Sequence, residues 1–478
     1  MDRRRIRVAG ERTGRFRPSD LLRYLATLTA ALQFIVACSG SDVRTESTSA
    51  GGQRAGGGSG TIAPSGGSGM PQAGTTSAAG VTSEAGATSD AGAAGDRVGS
   101  SGTGGTSPDS EAGASGSPDG FVPAPHPPFP LITAHGGPVL SKIELVPVYF
   151  GADPLRSELE SFATWLVASD YWKTVGADYG VLPGTQLPAV QFETAPTSPI
   201  SVVQISSWLD AQIASAALPK PSAQTVFVLF YPAGTTITID GSPSCSAFAG
   251  LHDEASIANA AFTGDVPFVV IPRCSFSPGD ELPIATNAAS HEIMEAATNP
   301  FFRSNPAWQM DSASGPLEAW QMLSGSEVAD LCLNQSYDEI AGFTVQDMWS
   351  NTAAQAGNNP CQPSDTKHPY FLVSAERTIY HAQPGATLTI PARAWSNLAT
   401  AAWSLGINWG YVPDSNFDGH ASLSQTTVNN GDEVTATVTI PANPPAVGVR
   451  SVYRFTIDSI DPINPNFSHP WPLMIVVP

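Results

Sequence analysis

Between residues 131 and 368, short apolar runs alternate with stretches of helical periodicity. Residues 143–150 (IELVPVYF), 225–231 (TVFVLFY) and 266–271 (VPFVVI) are short, apolar at almost every position, and rich in β-branched and aromatic residues. Such runs predict strands that are mostly buried. After the first, Asp153 and Pro154 supply an N-cap and a first-turn proline, and Leu155, Leu159, Phe162, Ala163 and Leu166 follow at helical spacing. A second amphipathic helix is predicted over 201–216, with Val202, Ile205, Leu209 and Ile213 on one face. A third is predicted over 284–297, stopped by Pro300. From Pro369 to the end the period changes to two, over 387–390, 434–440 (VTATVTI) and 452–457 (VYRFTI), with Asn430-Gly431 marking a turn. The fold class expected is an α/β zincin-like domain, a mixed sheet with an active-site helix, followed by an all-β immunoglobulin-like sandwich. The zincin part rests on the order strand, helix, helix, strand, strand, helix, which is an analogy of fold.

The first 120 residues carry none of this patterning. Eight arginines precede Tyr24, and a mainly apolar run from Leu25 to Ala37 follows, too short to span a membrane as a mature helix. It ends Ile35-Val36-Ala37-Cys38, which resembles a bacterial lipobox; Cys38 would be lipidated and become the new N-terminus. An ordinary signal peptide with an incidental cysteine is the competing reading. Ser39 rather than aspartate after the cysteine favours the outer membrane under enterobacterial sorting. Residues 38–120 are mostly Gly, Ser, Ala and Thr and cannot bury enough apolar surface to offset ordering entropy. As a flexible tether of that length they would reach about 50 Å, and the prolines of 123–130 (PAPHPPFP) stiffen the end. The expected domains are therefore 1–37 signal peptide, 38–120 tether, 121–368 zincin-like, and 369–478 immunoglobulin-like.

Charge and cysteines agree with export. The chain has 22 basic and 42 acidic residues; removing 1–37 takes away eight and three of these and moves the formal net charge from −20 to −25. Such a chain is a poor partner for nucleic acid or anionic lipid, so membrane attachment is expected through the lipid anchor only. Apart from Cys38, four cysteines remain: Cys245, Cys274, Cys332 and Cys361. An even number in an oxidising compartment suggests two disulfides, and Cys245–Cys274 with Cys332–Cys361 closes the two shortest loops. No C-x-x-C pair exists to suggest a four-cysteine zinc site.

The chemistry concentrates in Ser290-His291-Glu292-Ile293-Met294-Glu295, one letter from the zinc-hydrolase pattern H-E-x-x-H. Residues four apart share a helix face, so His291 and Glu295 can grip one metal ion while Glu292 serves as a general base. Downstream, Glu327 and Asp330 are three apart and would meet on one face of a helix. Glu327 is then a third ligand and Asp330 its neighbour orienting a histidine, or the roles are reversed; exposed acidic residues on a short helix are the alternative. His252, in Gly250-Leu251-His252-Asp253, is another candidate ligand, set against a loop histidine making local hydrogen bonds. His135 opens a His-Gly-Gly-Pro turn and reads as structural. A His-Glu-Glu site cancels the charge of a divalent ion, which lowers its Lewis acidity. Its oxygen donors also shift preference from zinc towards manganese, magnesium or calcium. Asp414-Ser415-Asn416-Phe417-Asp418-Gly419 fits the opening of a calcium loop, but Gln425 stands where the bidentate glutamate belongs, so a polar turn is the better reading. No nucleotide-phosphate loop or G-x-S-x-G elbow appears in a supporting context.

Several segments together resemble one family. Ala134-His135-Gly136-Gly137-Pro138-Val139-Leu140 before a strand, Tyr171-Trp172-Lys173 after a helix, and Ala297-Thr298-Asn299-Pro300 followed by Glu327-Val328-Ala329-Asp330-Leu331-Cys332 look like the phosphate-induced, exordium-like family over residues 131–365. The resemblance implies a secreted protein; plant members are linked to cell-wall-associated growth control and have no established enzymatic activity. Plant members generally lack the His-Glu pair found here as His291 and Glu292 while keeping the Thr-Asn-Pro that follows.

Two functions fit these features. One is a membrane-tethered, zinc-dependent peptidase acting on a peptide or cell-wall substrate. The other is a non-catalytic surface module that binds wall polysaccharide or a protein, with a structural metal. In that reading Trp308, Trp320 and Trp349 are candidate ligand platforms, although tryptophans in such a domain more often belong to the core.

Overall fold

The apolar runs of the first region become neighbouring strands of one mixed sheet. The computed structural model describes residues 120–477 apart from 195–196, 312–316, 334, 336, 409–420, 443–450, 464 and 466. The expected signal segment, Cys38, the tether before residue 120 and the Asp414 loop lie outside the described residues. The strands are β1 (Glu144–Phe150), β2 (Thr185–Gln186), β3 (Val190–Phe192), β4 (Thr225–Phe230), β5 (Leu251–Ala258) and β6 (Thr263–Ile271). β1, β4 and β6 run parallel side by side, and β2 and β3 pair with the free side of β1. β5 closes the other edge, antiparallel to β6, with His252 opposite Val269.

Alternation along these strands splits their side chains between two cores, which is why the runs read as continuously apolar. Leu145, Tyr149, Val226, Val228, Phe230, Val269 and Ile271 share one core with helices α1 (Arg156–Ala168) and α3 (Glu281–Thr298). Val146, Val148, Phe150, Phe227, Leu229, Phe268 and Val270 face the other way, onto helix α2 (Val202–Ala214). α2 begins in a capping box: Ser201 Oγ accepts from the Gln204 N–H, and Gln204 Oε1 accepts from the Ser201 N–H. Its inward residues Ile205, Leu209 and Ile213 are fully buried, each contributing roughly 1.5–3 kcal/mol. The described part is thus a mixed α/β arrangement with helices on both faces of the sheet.

Asp153 departs from its expected place. The N-cap of α1 is Leu155, which makes no side-chain cap. The Asp153 carboxylate instead accepts the Leu155 N–H at 2.9 Å and takes a two-pronged ion pair from Arg273, at 3.0 and 2.7 Å. This pair joins the chain just after β6 to the entry of α1, out of solvent.

The region after residue 369 is β-rich, as its period-two pattern requires. One sheet holds Phe371–Ala375, Thr387–Ser396, Glu433–Thr439 and Ala421–Leu423. The other holds Ile379–His381, Ser468–Val477, Ser451–Ile460, Trp403–Asn408 and Thr427–Val428. Val373, Ile390, Ala394, Val434 and Ala436 of the first and Leu405, Phe455, Ile457 and Trp471 of the second belong to the same core as α1 and α3. Trp320 meets Trp471 and Trp349 edge to face across the junction, so Trp320 and Trp349 are core residues, not ligand platforms. Trp308, half-buried, packs on Tyr179. The proline segment also docks: His126 and Phe129 pack on Trp395, and Asn430 hydrogen-bonds the backbone of Val122 and Ala124.

The disulfides are Cys245–Cys274 and Cys332–Cys361, each spanning 29 residues. Both pairings match the shortest-loop expectation and are compatible with an exported protein. No described helix is long and apolar enough to cross a membrane.

Replacing Asp153 by Ala should strand the buried Arg273 guanidinium and lower stability by about 3–5 kcal/mol. Urea unfolding measures this; a loss below about 1 kcal/mol would mean that the pair does not clamp α1 to the sheet.

Candidate metal centre

α3 is buried on every side over residues 284–298, yet it carries Thr286, Asn287, Ser290, His291, Glu292, Glu295 and Thr298. Polar groups so placed need partners inside the protein. His291 and Glu295, one turn apart, bring Nε2 and Oε2 to 3.2 Å. Glu295 Oε1 is fixed from behind by the backbone N–H groups of Ala329 and Asp330, each at 3.2 Å.

The same division recurs in the downstream carboxylates. Glu327 Oε1 accepts from the Asn299 amide at 2.7 Å, which leaves Oε2 facing inward. Asp330 Oδ2 accepts the N–H groups of Ser326 and Glu327, while Oδ1 lies 3.7 Å from His291 Nε2. Glu327 and Asp330 converge as expected, but not on a regular α-helix: Glu327 sits in a bend and Asp330 opens a short 3-10 turn, Asp330–Cys332. The Glu295 contacts to residues 329 and 330 hold that turn against α3.

His252 completes the cluster, and it is not a loop residue. Leu251, Ala255 and Ile257 of β5 pack in the α2-side core, so His252 points to the opposite face of the sheet, towards α3. Its Nδ1 lies 3.3 Å from Glu292 Oε2 and 3.5 Å from Glu295 Oε2, and its Nε2 lies 3.6 Å from Glu327 Oε2. Gly250 makes this approach possible: a Cβ there would fall 2.8 Å from Glu292 Cγ and 3.3 Å from Ala288 Cβ. The Cys245–Cys274 bridge ties the chain entering β5 to the chain leaving β6. The edge of the Phe302 ring meets the His252 imidazole, with centroids 5.0 Å apart.

Gln346 and Asn299 are positioning residues, Gln346 without a signal in the sequence and Asn299 within the Thr-Asn-Pro of the resemblance. Gln346 Nε2 donates to the Ala329 carbonyl at 2.7 Å, which leaves Oε1 to accept from His291 Nδ1 at 3.0 Å. A proton on Nδ1 leaves the Nε2 lone pair of a neutral ring directed at Glu295 and Asp330. Gln346 therefore orients His291 from the Nδ1 side, while Asp330 faces its Nε2. Asn299 stands between Glu327 and the 307–309 segment, accepting from the Ala307 N–H at 2.7 Å. That segment in turn binds the His-Gly-Gly-Pro stretch: the His135 N–H donates to the Ala307 carbonyl, and Gly137 leaves no room for a Cβ against the carbonyls of Asn305 and Pro306. His135 itself bonds the Gln309 carbonyl and has a structural place outside the cluster.

Electrostatics follow from burial. Desolvation alone would lower both imidazole pKa values. The carboxylates of Glu327, Glu292 and Glu295 outweigh it at His252 and raise that pKa well above the usual imidazole range. Glu295, Glu292 and Asp330 do the same at His291, to about 10. Burial also raises Asp330 well above its ordinary value, with Glu295 adding to it, and raises Glu327; the two histidines pull Glu295 down against burial.

This arrangement can hold a metal ion. Ligand atoms of His252, Glu295 and Glu327, and of His291, Glu292 and Glu295, lie within 4.8 Å of one another. The closest pairs, at 3.2 to 3.7 Å, compare with about 3.3 Å between neighbouring ligands of a tetrahedral zinc ion. Nε2 of His252, Nε2 of His291 and Oε2 of Glu327 are buried and make no hydrogen bond, as atoms directed at a cation would be.

No protein-family model matches the chain, and no curated protein does. Among solved structures, a β-glucosidase from Listeria innocua aligns with 9% identity over 72% of this chain at a TM-score of 0.16. The chain spans 48%, about half, of that enzyme's length.

Replacing Gln346 by Ala should free the His291 ring and weaken metal binding about 10–100-fold, with the fold retained. Calorimetric titration with zinc checks this; unchanged affinity would show that His291 is oriented by something else.

Proposed function

We propose that this protein is an exported, lipid-anchored metallohydrolase that cleaves peptide bonds. In this reading it has a zincin-like α/β domain followed by an immunoglobulin-like sandwich. The observation that carries it is the convergence of His291, Glu295, His252 and Glu327, with Glu292 beside them on the same helix turn. His291 Nε2, Glu295 Oε2, His252 and Glu327 Oε2 would hold a divalent ion, zinc or, given the oxygen-rich set, manganese or calcium. Such an ion supplies Lewis acidity, which polarises a carbonyl and makes water a better acid. Glu292 is the general base: its carboxylate lies within the cluster, and Gly250 and His252 fix its position. Asn299 and Gln346 hold Glu327 and His291 in place.

Export is supported by the arginine-rich apolar start, by Cys38 in its lipobox-like setting and by the two disulfides. Membership of the exordium-like family belongs to the same proposal. The Thr-Asn-Pro of the resemblance coincides here with the residue that positions Glu327. The alternative is a surface module that binds wall polysaccharide around a structural ion. One observation favours it: Glu292 is 3% exposed and none of the other five cluster residues exceeds 6%, so a substrate reaches the cluster only if covering groups move.

Peptidase assays on the wild type and Glu292→Gln separate the two readings. The variant should lose about 100-fold or more in turnover while still retaining bound metal. Equal turnover would remove Glu292 from the chemistry. Capture on wall polysaccharide with no cleavage by the wild type would favour the binding module.

A further inference from the structure

We infer that the cluster is built for two divalent cations, with Glu295 shared between them. This rests on reading the cluster as a metal centre and extends it. The donors fall into two triads, His252–Glu295–Glu327 and His291–Glu292–Glu295, and Glu295 is the member common to both. Its Oε2 lies between the two imidazoles, 3.2 Å from His291 Nε2 and 3.5 Å from His252 Nδ1.

A second, independent observation points to a ligand in each triad. Each contributes one buried imidazole Nε2 without a hydrogen bond. Because His291 Nδ1 is committed to Gln346, Nε2 is the ligand atom that ring has left. Asp330 Oδ1, 3.7 Å from that nitrogen, adds an oxygen to the second triad.

The donors give the number of ions: each triad supplies one imidazole and two carboxylates, with Glu295 common to both. Glu292, Glu295, Glu327 and Asp330 bring four carboxyl groups into a volume closed to solvent. The ion pairs of Glu292, Glu295 and Glu327 among the described residues are to His252 and His291 alone, while Arg273 and Arg303 are engaged by Asp153 and Asp253. With the imidazoles ligating as neutral rings, divalent ions are what offsets the carboxylates gathered here. Buried charge without compensation is strongly unfavourable. Four carboxylates and two imidazoles are also the donor set of dinuclear carboxylate centres in helical bundles. A shared carboxylate is compatible with the separation of about 3.5–4 Å found in two-metal sites. Oxygen-rich ligation makes manganese(II) a suitable probe. In the two-ion arrangement Glu292 is a ligand of the second ion in place of the general base of the one-ion reading, and Glu292→Gln retains the ion held by His252, Glu295 and Glu327.

The test is titration of metal-stripped full-length protein with manganese(II), counting bound ions and recording the electron paramagnetic resonance spectrum. Two equivalents bind and give the broadened signal of a coupled pair, whereas His252→Ala and His291→Ala each bind one, with the hyperfine lines of an isolated ion. Elemental analysis after loading with zinc gives the same count without reference to spin. One equivalent in the wild type, with isolated-ion lines, overturns the two-ion centre and leaves the single-metal reading standing. No binding by protein with native far-ultraviolet dichroism overturns both.

Discussion

A helix enclosed on every side cannot rely on water to solvate its polar residues, and α3 is enclosed over 284–298 while carrying a histidine and two glutamates. Left alone, each of those groups would destabilise the fold by several kcal/mol. The surrounding structure is arranged around that demand. β5 brings a second imidazole, the 326–330 turn brings two further carboxylates, and backbone N–H or amide donors fix one oxygen each of Glu295, Glu327 and Asp330. The remaining atoms point inward at spacings of 3.2 to 3.7 Å, which suits a cation better than it suits the groups themselves.

The rest of the described fold positions these parts. The sheet sets the direction of His252, since the alternation that buries Leu251 and Ile257 under α2 turns residue 252 towards α3. Gly250 sets the distance between β5 and α3. Asn299, at the end of α3, links the helix to Glu327 and to the segment that receives His135 and Gly137. The His-Gly-Gly-Pro stretch thus acts on the cluster through backbone geometry and the Thr-Asn-Pro stretch through the Asn299 side-chain amide, neither of them as a ligand.

How much of this could be read from the chain depended on whether each relation is local. The spacing of His291, Glu292 and Glu295 is a property of one helix turn, so it was visible at once, as were the α2 face and the apolar strands. The disulfide pairing followed from loop length alone. Glu327 and Asp330 were legible as residue types, but their bend and 3-10 turn depend on bonds from Glu295, more than thirty positions away. His252 reads as a loop residue because glycine, histidine and aspartate look like a turn. The period-two signal was there, with Leu251, Ala255 and Ile257 against His252, Glu254 and Ser256, but the polar set faces α3 and the core side is interrupted by Asp253. Gln346 acts across 55 residues without a local signal, and Asn299 acts across 28, so the Thr-Asn-Pro that contains it marks the position but not the role. The division at residue 368 follows the change of period, whereas the core runs across it through Trp320 and Trp471.

The central claim is that the inward-facing atoms of His252, His291, Glu295 and Glu327 are ligands. Anomalous diffraction from crystals grown with zinc, recorded above and below its absorption edge, tests it directly. The account predicts anomalous density among these four side chains, within about 2.0–2.2 Å of their nitrogens and oxygens, and its loss in crystals of the variant that carries both His252→Ala and His291→Ala. Zinc bound only at other places on the protein, with direct hydrogen bonds or water joining the two imidazoles to the carboxylates, would contradict it.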